Sequence, residues 1–179
     1  MSTQVPVNSL ASLEYLPYIT ASGELNSELQ GKIGVYAIFN QAQEMQYVGY
    51  SRNVYLSLKQ HLVRQPENCY WLKVQTIARP SRQVLAEISA SWMQENGSTP
   101  PGNGDAKPQW TEPIDTNFAM TEAEKAQYQQ SDELNQIKIR KKIARRVEAQ
   151  ILEELGDRGV QMEIRFNPKL KEKGLLDLK

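Results

Sequence analysis

Cysteine and histidine are almost absent from this chain, which has one Cys69 and one His61 in 179 residues. A single cysteine excludes a disulfide framework and a cysteine-rich zinc site, and a single histidine excludes a zinc site of several histidines. No apolar run reaches the roughly 18 residues of a membrane-spanning helix. Residues 1–19 also lack the basic and then apolar order of a secretory signal. We therefore expect a cytoplasmic protein.

An excess of either charge is also lacking, because 21 basic side chains balance 21 acidic ones. Seven of each sign precede residue 97 and fourteen of each follow it. Neither half is basic overall, so affinity for nucleic acid would have to come from a local patch. With 40% hydrophobic and 23% charged residues, the composition is that of an ordinary globular protein.

Alternating apolar residues and capping signals predict five elements in the first half of the chain. Residues 33–39 and 45–51 are β-branched and aromatic, and a polar turn between them favours an antiparallel hairpin. A helix should start at Asn53 and run to about Arg64, and residues 70–78 should form a third strand. Ser81 can cap a second helix that ends near Gly97. The order predicts an α/β (α+β) fold, a small mixed sheet with a hairpin flanked by helices.

The second half reads as a linker followed by a helical extension. Three glycines and four prolines make residues 97–120 irregular. Thr121 and Glu124 form a capping box for one long helix that ends at Gly156. Its predicted apolar face holds Leu134, Ile137, Ala144, Val147, Ile151 and Leu155. Residues 160–166 alternate and predict a last strand. The predicted domains are a lead at 1–31, a core at 32–103, a linker at 104–120 and an extension at 121–179.

Two tripeptides on the predicted hairpin carry a family resemblance. Gly34-Val35-Tyr36 is followed, after ten residues, by Tyr47-Val48-Gly49. This pair resembles the signature strands of the GIY-YIG nuclease superfamily. His61 at the end of the first helix, Glu87 in the second helix and Asn103 after a proline-rich loop extend the resemblance over residues 32–103.

The resemblance implies metal-assisted hydrolysis of phosphodiesters in DNA or RNA. In that reaction negative charge builds on the phosphate and must meet cations. The roles it implies are water activation by Tyr36, a partner phenol at Tyr47, an auxiliary base at His61, the Mg²⁺ ligand at Glu87 and positioning by Asn103. Mg²⁺ would be the cofactor of an active enzyme, and no cofactor is expected otherwise.

The catalytic arginine that the resemblance implies is missing. It belongs four residues before the histidine, and Ser57 stands there. Arg52 precedes the helix and is a possible surrogate, but a misplaced arginine rarely restores a bidentate clamp on phosphate. Our first hypothesis is a degenerate nuclease that binds or assembles with nucleic acid or protein. The alternative is an active Mg²⁺-dependent endonuclease.

Each of these residues also has a purely structural interpretation. Tyrosines that alternate in strands usually pack with the hydroxyl at a rim, which fits Tyr36 and Tyr47. His61 could simply pack at the end of its helix, and Glu87 could be a surface residue beside an apolar stripe. Cys69 is expected to be a small buried hydrophobe.

Residues 137–146 carry a basic run without any acidic residue. Its members are Lys138, Arg140, Lys141, Lys142, Arg145 and Arg146. Such a run is most often a solvated helix face, and acidic residues flank it at pairing distance. Ile139 and Ile143 would then be exposed among the cations, which favours a surface for a nucleic-acid or protein partner. A membrane surface is a third option, but large apolar anchors are lacking.

Overall fold

The computed structural model describes residues 5–179, so the first four residues of the predicted lead lie outside it. The chain divides into two compact units, the first ending at Thr111 and the second being Glu112–Lys179. No helix among residues 5–179 is long and apolar enough to cross a membrane.

A four-stranded sheet forms the centre of the first unit. Its strands are β1 (Leu16–Pro17), β2 (Ile33–Phe39), β3 (Met45–Ser51) and β4 (Trp71–Ile77), in the order β1-β4-β2-β3. The predicted hairpin of β2 and β3 is present, with Tyr36 opposite Gly49. Helices flank this sheet, so the predicted α+β class is confirmed, although every pairing is antiparallel rather than mixed.

Two helices lie on opposite faces of this sheet. Helix α1 (Val54–Arg64) begins where the Asn53 side chain accepts a hydrogen bond from the Leu56 N–H. Helix α2 (Arg82–Asn96) begins at Ser81 in the same way and ends at Gly97, whose φ of 83° suits glycine. Residues of a strand alternate between faces. Val35, Ala37 and Phe39 pack with the apolar residues of α2, which leaves Tyr36 and Ile38 for the α1 face.

The segment before β1 covers the α2 face. Trp92 donates from its indole N–H to the carbonyl of Asn8 at 2.8 Å. Lys73, which is buried, donates to the carbonyl of Leu10 at 2.7 Å and lies 4.2 Å from the centre of the Tyr15 ring. A buried ammonium is tolerated because a carbonyl and an aromatic face replace its water.

The region 97–120, predicted to be irregular, is partly ordered into regular elements. It contains a 3₁₀ turn at Pro101–Asn103, helix α3 (Lys107–Thr111) and strand β5 (Ile114–Asp115). Trp110 of α3 is only 2% exposed. Burial of one tryptophan offsets the weak helical tendency of the surrounding glycines and prolines, which local composition does not reveal.

In the second unit, two helices replace the single long helix that was predicted. The Thr121–Glu124 capping box is present and starts α4 (Glu122–Gln130). Asp132 then caps α5 (Glu133–Asp157) by accepting from the Asn135 N–H. An N-cap residue has an extended backbone, so Asp132 ends the first helical segment and begins a new one. The prediction of one continuous helix was wrong for that reason.

The buried face of α5 also differs from the prediction. Its buried residues are Ile139, Ile143, Ala144, Ile151 and Leu155. Leu134, predicted inward, is 63% exposed. Ile139 and Ile143 were expected among exposed cations, so that part of the argument for a partner surface was wrong. Ile139, Ile143, Ile151 and Leu155 lie four or eight residues apart on one face of the helix, and this face competes with the predicted one because the two share Ala144, Ile151 and Leu155.

The chain after α5 does not form the strand predicted at residues 160–166. Only Phe166 makes an isolated antiparallel bridge, with Leu178. Helix α6 (Pro168–Lys171) follows, and β6 (Leu175–Leu176) pairs with β5. Alternation alone does not make a strand where no neighbouring strand offers a continuous set of hydrogen bonds.

Candidate functional site

Tyr36 and His61 meet in the space between the sheet and α1. The Tyr36 hydroxyl and the Nε2 atom of His61 are 2.8 Å apart. Tyr36 is on the α1 face of β2, and His61 lies on the buried side of α1 with Leu58 and Leu62. Tyr36 is 3% exposed and His61 is 4% exposed. The pair is therefore nearly shut off from solvent.

Tyr47 and Trp110 enclose this pair. Their rings are parallel within 3°, with centroids 5.4 Å apart. The Tyr47 ring also lies 4.6 Å from the His61 ring, centre to centre. Gly49 makes room for the tyrosines, because a Cβ there would lie 2.6 Å from Tyr47 Cε1 and 2.8 Å from the Tyr36 hydroxyl. We call Tyr36, Tyr47, His61 and Trp110 the aromatic cluster.

Burial keeps the titratable members of the aromatic cluster uncharged. It lowers the pKa of His61 to about 3, and the positive charge of Arg64 adds to this while the backbone of Trp110 opposes it. Burial and the neighbouring Tyr47 raise the pKa of Tyr36 well above its usual value. Burial also raises the pKa of Tyr47. At neutral pH the cluster is a neutral hydrogen-bonded pair within aromatic walls.

Neither the position of the missing arginine, Ser57, nor the possible surrogate, Arg52, supplies a positive charge to the aromatic cluster. Ser57 is a neutral side chain that donates to the hydroxyl oxygen of Ser51 at 2.8 Å. Arg52 is exposed and lines a separate cavity with Tyr50 and Arg82.

Glu87 makes no hydrogen bond or ion pair with the aromatic cluster. It is on α2, whose apolar residues pack on the opposite face of the sheet from Tyr36. Its carboxylate is exposed and accepts a hydrogen bond from Gln83 at 3.2 Å. Residues 5–179 hold no group of three or more His, Cys, Asp or Glu side chains arranged to bind a metal. The role of Glu87 as a Mg²⁺ ligand stays a prediction from the sequence.

Asn103 is fully engaged with the outer edge of β3. Its amide oxygen accepts from the Val48 N–H and its amide nitrogen donates to the Val48 carbonyl, both at 2.8 Å. Gly102 allows this approach, since a Cβ there would lie 2.7 Å from the Gln46 carbonyl oxygen. Asn103 therefore attaches the 3₁₀ turn to the edge of the sheet.

Acidic residues pair with two of the six cations of the basic run on α5. Arg146 forms two hydrogen bonds with the carboxylate of Glu124, at 2.9 and 3.0 Å. Lys141 lies 3.5 Å from Glu172, and the guanidinium of Arg140 lies 5.0 Å from the centre of the Tyr128 ring. Lys138, Lys142 and Arg145 are exposed. The run therefore has the character of a solvated, partly paired helix face.

A cavity between the end of β3 and the start of α2 was missed from the sequence. Its volume is about 320 Å³, and the residues around it are Tyr50, Ser51, Arg52, Pro80, Ser81, Arg82 and Leu85. The signal available in the sequence was that an arginine directly adjoins each predicted N-cap, Arg52 before Asn53 and Arg82 after Ser81. Only the fold shows that these two arginines share one cavity.

Comparison with known proteins gives one informative relative. No family model matches the chain. The chain is 36% identical over 101 residues to the bifunctional monothiol glutaredoxin-S16, chloroplastic, of Arabidopsis thaliana. The match covers 54% of this chain and 33% of the relative. The chain thus spans about a third of the length of the curated relative that it matches.

These findings overturn the assignment to the GIY-YIG nuclease superfamily. No family model supports it, and the relative is named as a monothiol glutaredoxin rather than as a nuclease. The degenerate nuclease site and the alternative of an active endonuclease are withdrawn with it. The two tripeptides have a packing explanation instead, because Gly49 is the residue that fits beneath Tyr36 and Tyr47. The contacts within the aromatic cluster stand as observations, whatever their role.

Proposed function

We propose that this chain is a ligand-binding domain that works beside a monothiol glutaredoxin and performs no thiol chemistry itself. The relative is named as bifunctional, and this chain spans about a third of it. A protein with two functions can contain a domain that does not carry the thiol site, and we assign this chain to such a domain. The partner that this proposal implies is a glutaredoxin, in the same chain or in a complex.

Burial of the only cysteine is the observation that carries this proposal. Cys69 is 0% exposed, and its thiol donates to the carbonyl of His61 at 3.6 Å. Thiol exchange needs an accessible thiolate, usually held by a cation or a helix start, and buried structural cysteines are inert. Cys69 instead follows a 3₁₀ turn at Pro66–Asn68 and fills space behind α1.

The sheet supports the same conclusion. Thioredoxin-like redox motifs are associated with a βαβ unit, in which the two strands run parallel. All strand pairs of the four-stranded sheet in residues 5–179 are antiparallel. The architecture around Cys69 is thus unlike the setting in which a redox cysteine acts.

The test measures how fast Cys69 reacts with an aromatic disulfide reagent in the folded and the unfolded protein. We expect the folded chain to react at least about 100-fold more slowly, because the thiol is reached only by opening of the structure. A matched control is Ser98→Cys in a Cys69→Ala background, which places a single thiol in an exposed loop. That variant should react quickly without denaturant.

A second measurement follows glutathione-dependent reduction of a mixed disulfide. The chain alone should show no activity, and activity should appear only when a monothiol glutaredoxin is added. Rapid reaction of Cys69 in the folded chain, together with reductase activity that Cys69→Ala abolishes, would overturn the proposal.

A further inference from the structure

The cavity between β3 and α2 has an unusual balance of charge. Two arginines, Arg52 and Arg82, line it, and no aspartate or glutamate does. Neither guanidinium makes a hydrogen bond or an ion pair with any of residues 5–179. Glu87, which follows on α2, is hydrogen-bonded to Gln83 and lies outside the lining. Two like charges that share a cavity without a counter-charge favour an anionic ligand.

The hydroxyl groups of Ser51 and Ser81 can also donate hydrogen bonds to a ligand in the cavity. The Ser51 hydroxyl oxygen accepts from the Asn53 N–H at 3.0 Å and from the Ser57 hydroxyl at 2.8 Å. The Ser81 hydroxyl oxygen accepts from the Val84 N–H at 3.2 Å. A hydroxyl has one proton to donate and two acceptor positions. Neither hydroxyl donates to another group among residues 5–179, so each O–H proton is available for a ligand.

A ligand that satisfies this lining must offer several acceptors, because the two guanidinium groups and the two hydroxyls are donors. Guanidinium groups bind phosphate oxygens through paired N–H bonds, and hydroxyl donors add to the same group. A cavity of about 320 Å³ exceeds what a bare phosphate group needs, and Tyr50, 39% exposed, offers an aromatic surface for the remainder of a ligand.

We propose that Arg52, Arg82, Ser51 and Ser81 form a binding site for the phosphate group of a small phosphorylated molecule. The inference rests on the proposed function, because it names the ligand class of the proposed ligand-binding domain. It does not depend on the helix start at Ser81, since the two arginines and the acid-free lining define the site.

Calorimetric titration of the full chain with phenyl phosphate, and separately with pyrophosphate, tests the site. Arg52→Gln and Arg82→Gln should each weaken binding about tenfold or more, which is typical of losing one charge-assisted pair. Arg79→Gln is the matched control, because Arg79 is exposed, lies three residues from Arg82 and does not line the cavity. Its affinity should equal that of the wild type.

Three outcomes would overturn the site: no binding of either probe, equal weakening by Arg79→Gln, or benzoate binding as tightly as phenyl phosphate. The last outcome would assign the cavity to carboxylates. Ser51→Ala and Ser81→Ala should each reduce affinity by a smaller factor than the arginine variants. If Cys69 proves inert and no phosphate binds, this inference fails and the proposed function stands.

Discussion

The aromatic cluster of the first unit and the basic run of the second unit place polar residues in opposite settings. In the cluster, Tyr36 and His61 are buried and uncharged, and they share a hydrogen bond. In the run, the cations reach solvent, and Arg146 and Lys141 find acidic partners there. Residue type drew attention to both regions, but burial decides what each contributes. Changes in the cluster should alter stability strongly, and changes in the run should alter it weakly.

The largest expected effect comes from adding a methyl group beside the aromatic cluster, with the same addition on α5 as its counterpart. Gly49→Ala forces a Cβ against the buried rings of Tyr47 and Tyr36. Overpacking of this kind should lower the free energy of unfolding by about 3 kcal/mol. Urea unfolding followed by tryptophan fluorescence reports on the first unit, which holds all three tryptophans.

Gly156→Ala is the matched change in the second unit. Nothing lies within 4 Å of a Cβ at that position on α5. Alanine should stabilise the helix by about 0.5–1 kcal/mol, measured by far-ultraviolet circular dichroism. Equal responses to the two substitutions would contradict the contrast between a tightly packed cluster and a solvated helix.

The next effect, smaller when counted per pH unit, should appear in the pH dependence of stability. The pKa of His61 is about 3 in the folded chain, whereas an unfolded histidine titrates near 6.5. Below pH 6.5 the unfolded state binds a proton that the folded state refuses, so stability falls as pH falls. Linkage sets the slope at about 1.4 kcal/mol per pH unit between these values.

His61→Gln removes the titrating imidazole. The free energy of unfolding should then fall less steeply with decreasing pH, by about 1.4 kcal/mol per pH unit. The measurement is urea unfolding at several values between pH 7 and pH 4, for both proteins. The variant is expected to be less stable at pH 7, so the slope and not the absolute value is compared. Parallel slopes would show that His61 takes up its proton in the folded state.

The smallest effect is expected in the basic run. Arg146 and the helix start at Thr121 hold the pKa of Glu124 at about 2. A lowered carboxyl pKa stabilises the folded state above the unfolded value of about 4.5, and this is lost as pH falls through 2. Because the Arg146 side chain is 38% exposed, Arg146→Gln should cost less than about 1 kcal/mol at pH 7.

Thermal unfolding in low and high salt measures this cost, which salt should reduce further. Arg145→Gln is the neighbouring control, since that exposed arginine has no ion pair within residues 5–179. It should leave the melting temperature unchanged. A loss above 2 kcal/mol from Arg146→Gln would place this pair in the same class as the aromatic cluster.

Local signals in the sequence predicted much of the fold. The hairpin, α1, α2 and the capping box at Thr121 all depend on residues close together in the chain, and all are present. Helix α3 was missed because Trp110 is stabilised by Tyr47 and His61, which are distant in sequence. The buried stripe of α5 was half wrong because two overlapping apolar faces fit the spacing of this helix, and periodicity alone does not choose between them.

The candidate site shows the same limit more clearly. Tyr36, Tyr47 and His61 were grouped from the sequence and do lie together, because the hairpin register and a helix following directly from it fix their places. Glu87 was grouped with them from the sequence, but α2, which carries it, packs its apolar residues on the other face of the sheet, and the side to which α2 crosses is a property of the whole fold. The arginine cavity joins two distant helix starts, so no local pattern points to it.

The contacts of Asn103 have a consequence for how the molecule behaves among its own copies. Strand β3 is an outer strand of the sheet, and an outer strand with free N–H and carbonyl groups is a template for adding another chain. The Asn103 amide occupies both groups of Val48, and Gly102 brings the 3₁₀ turn against Gln46. The turn at Pro101–Asn103 thereby hinders the pairing of β3 with a strand of another copy of the chain at high concentration.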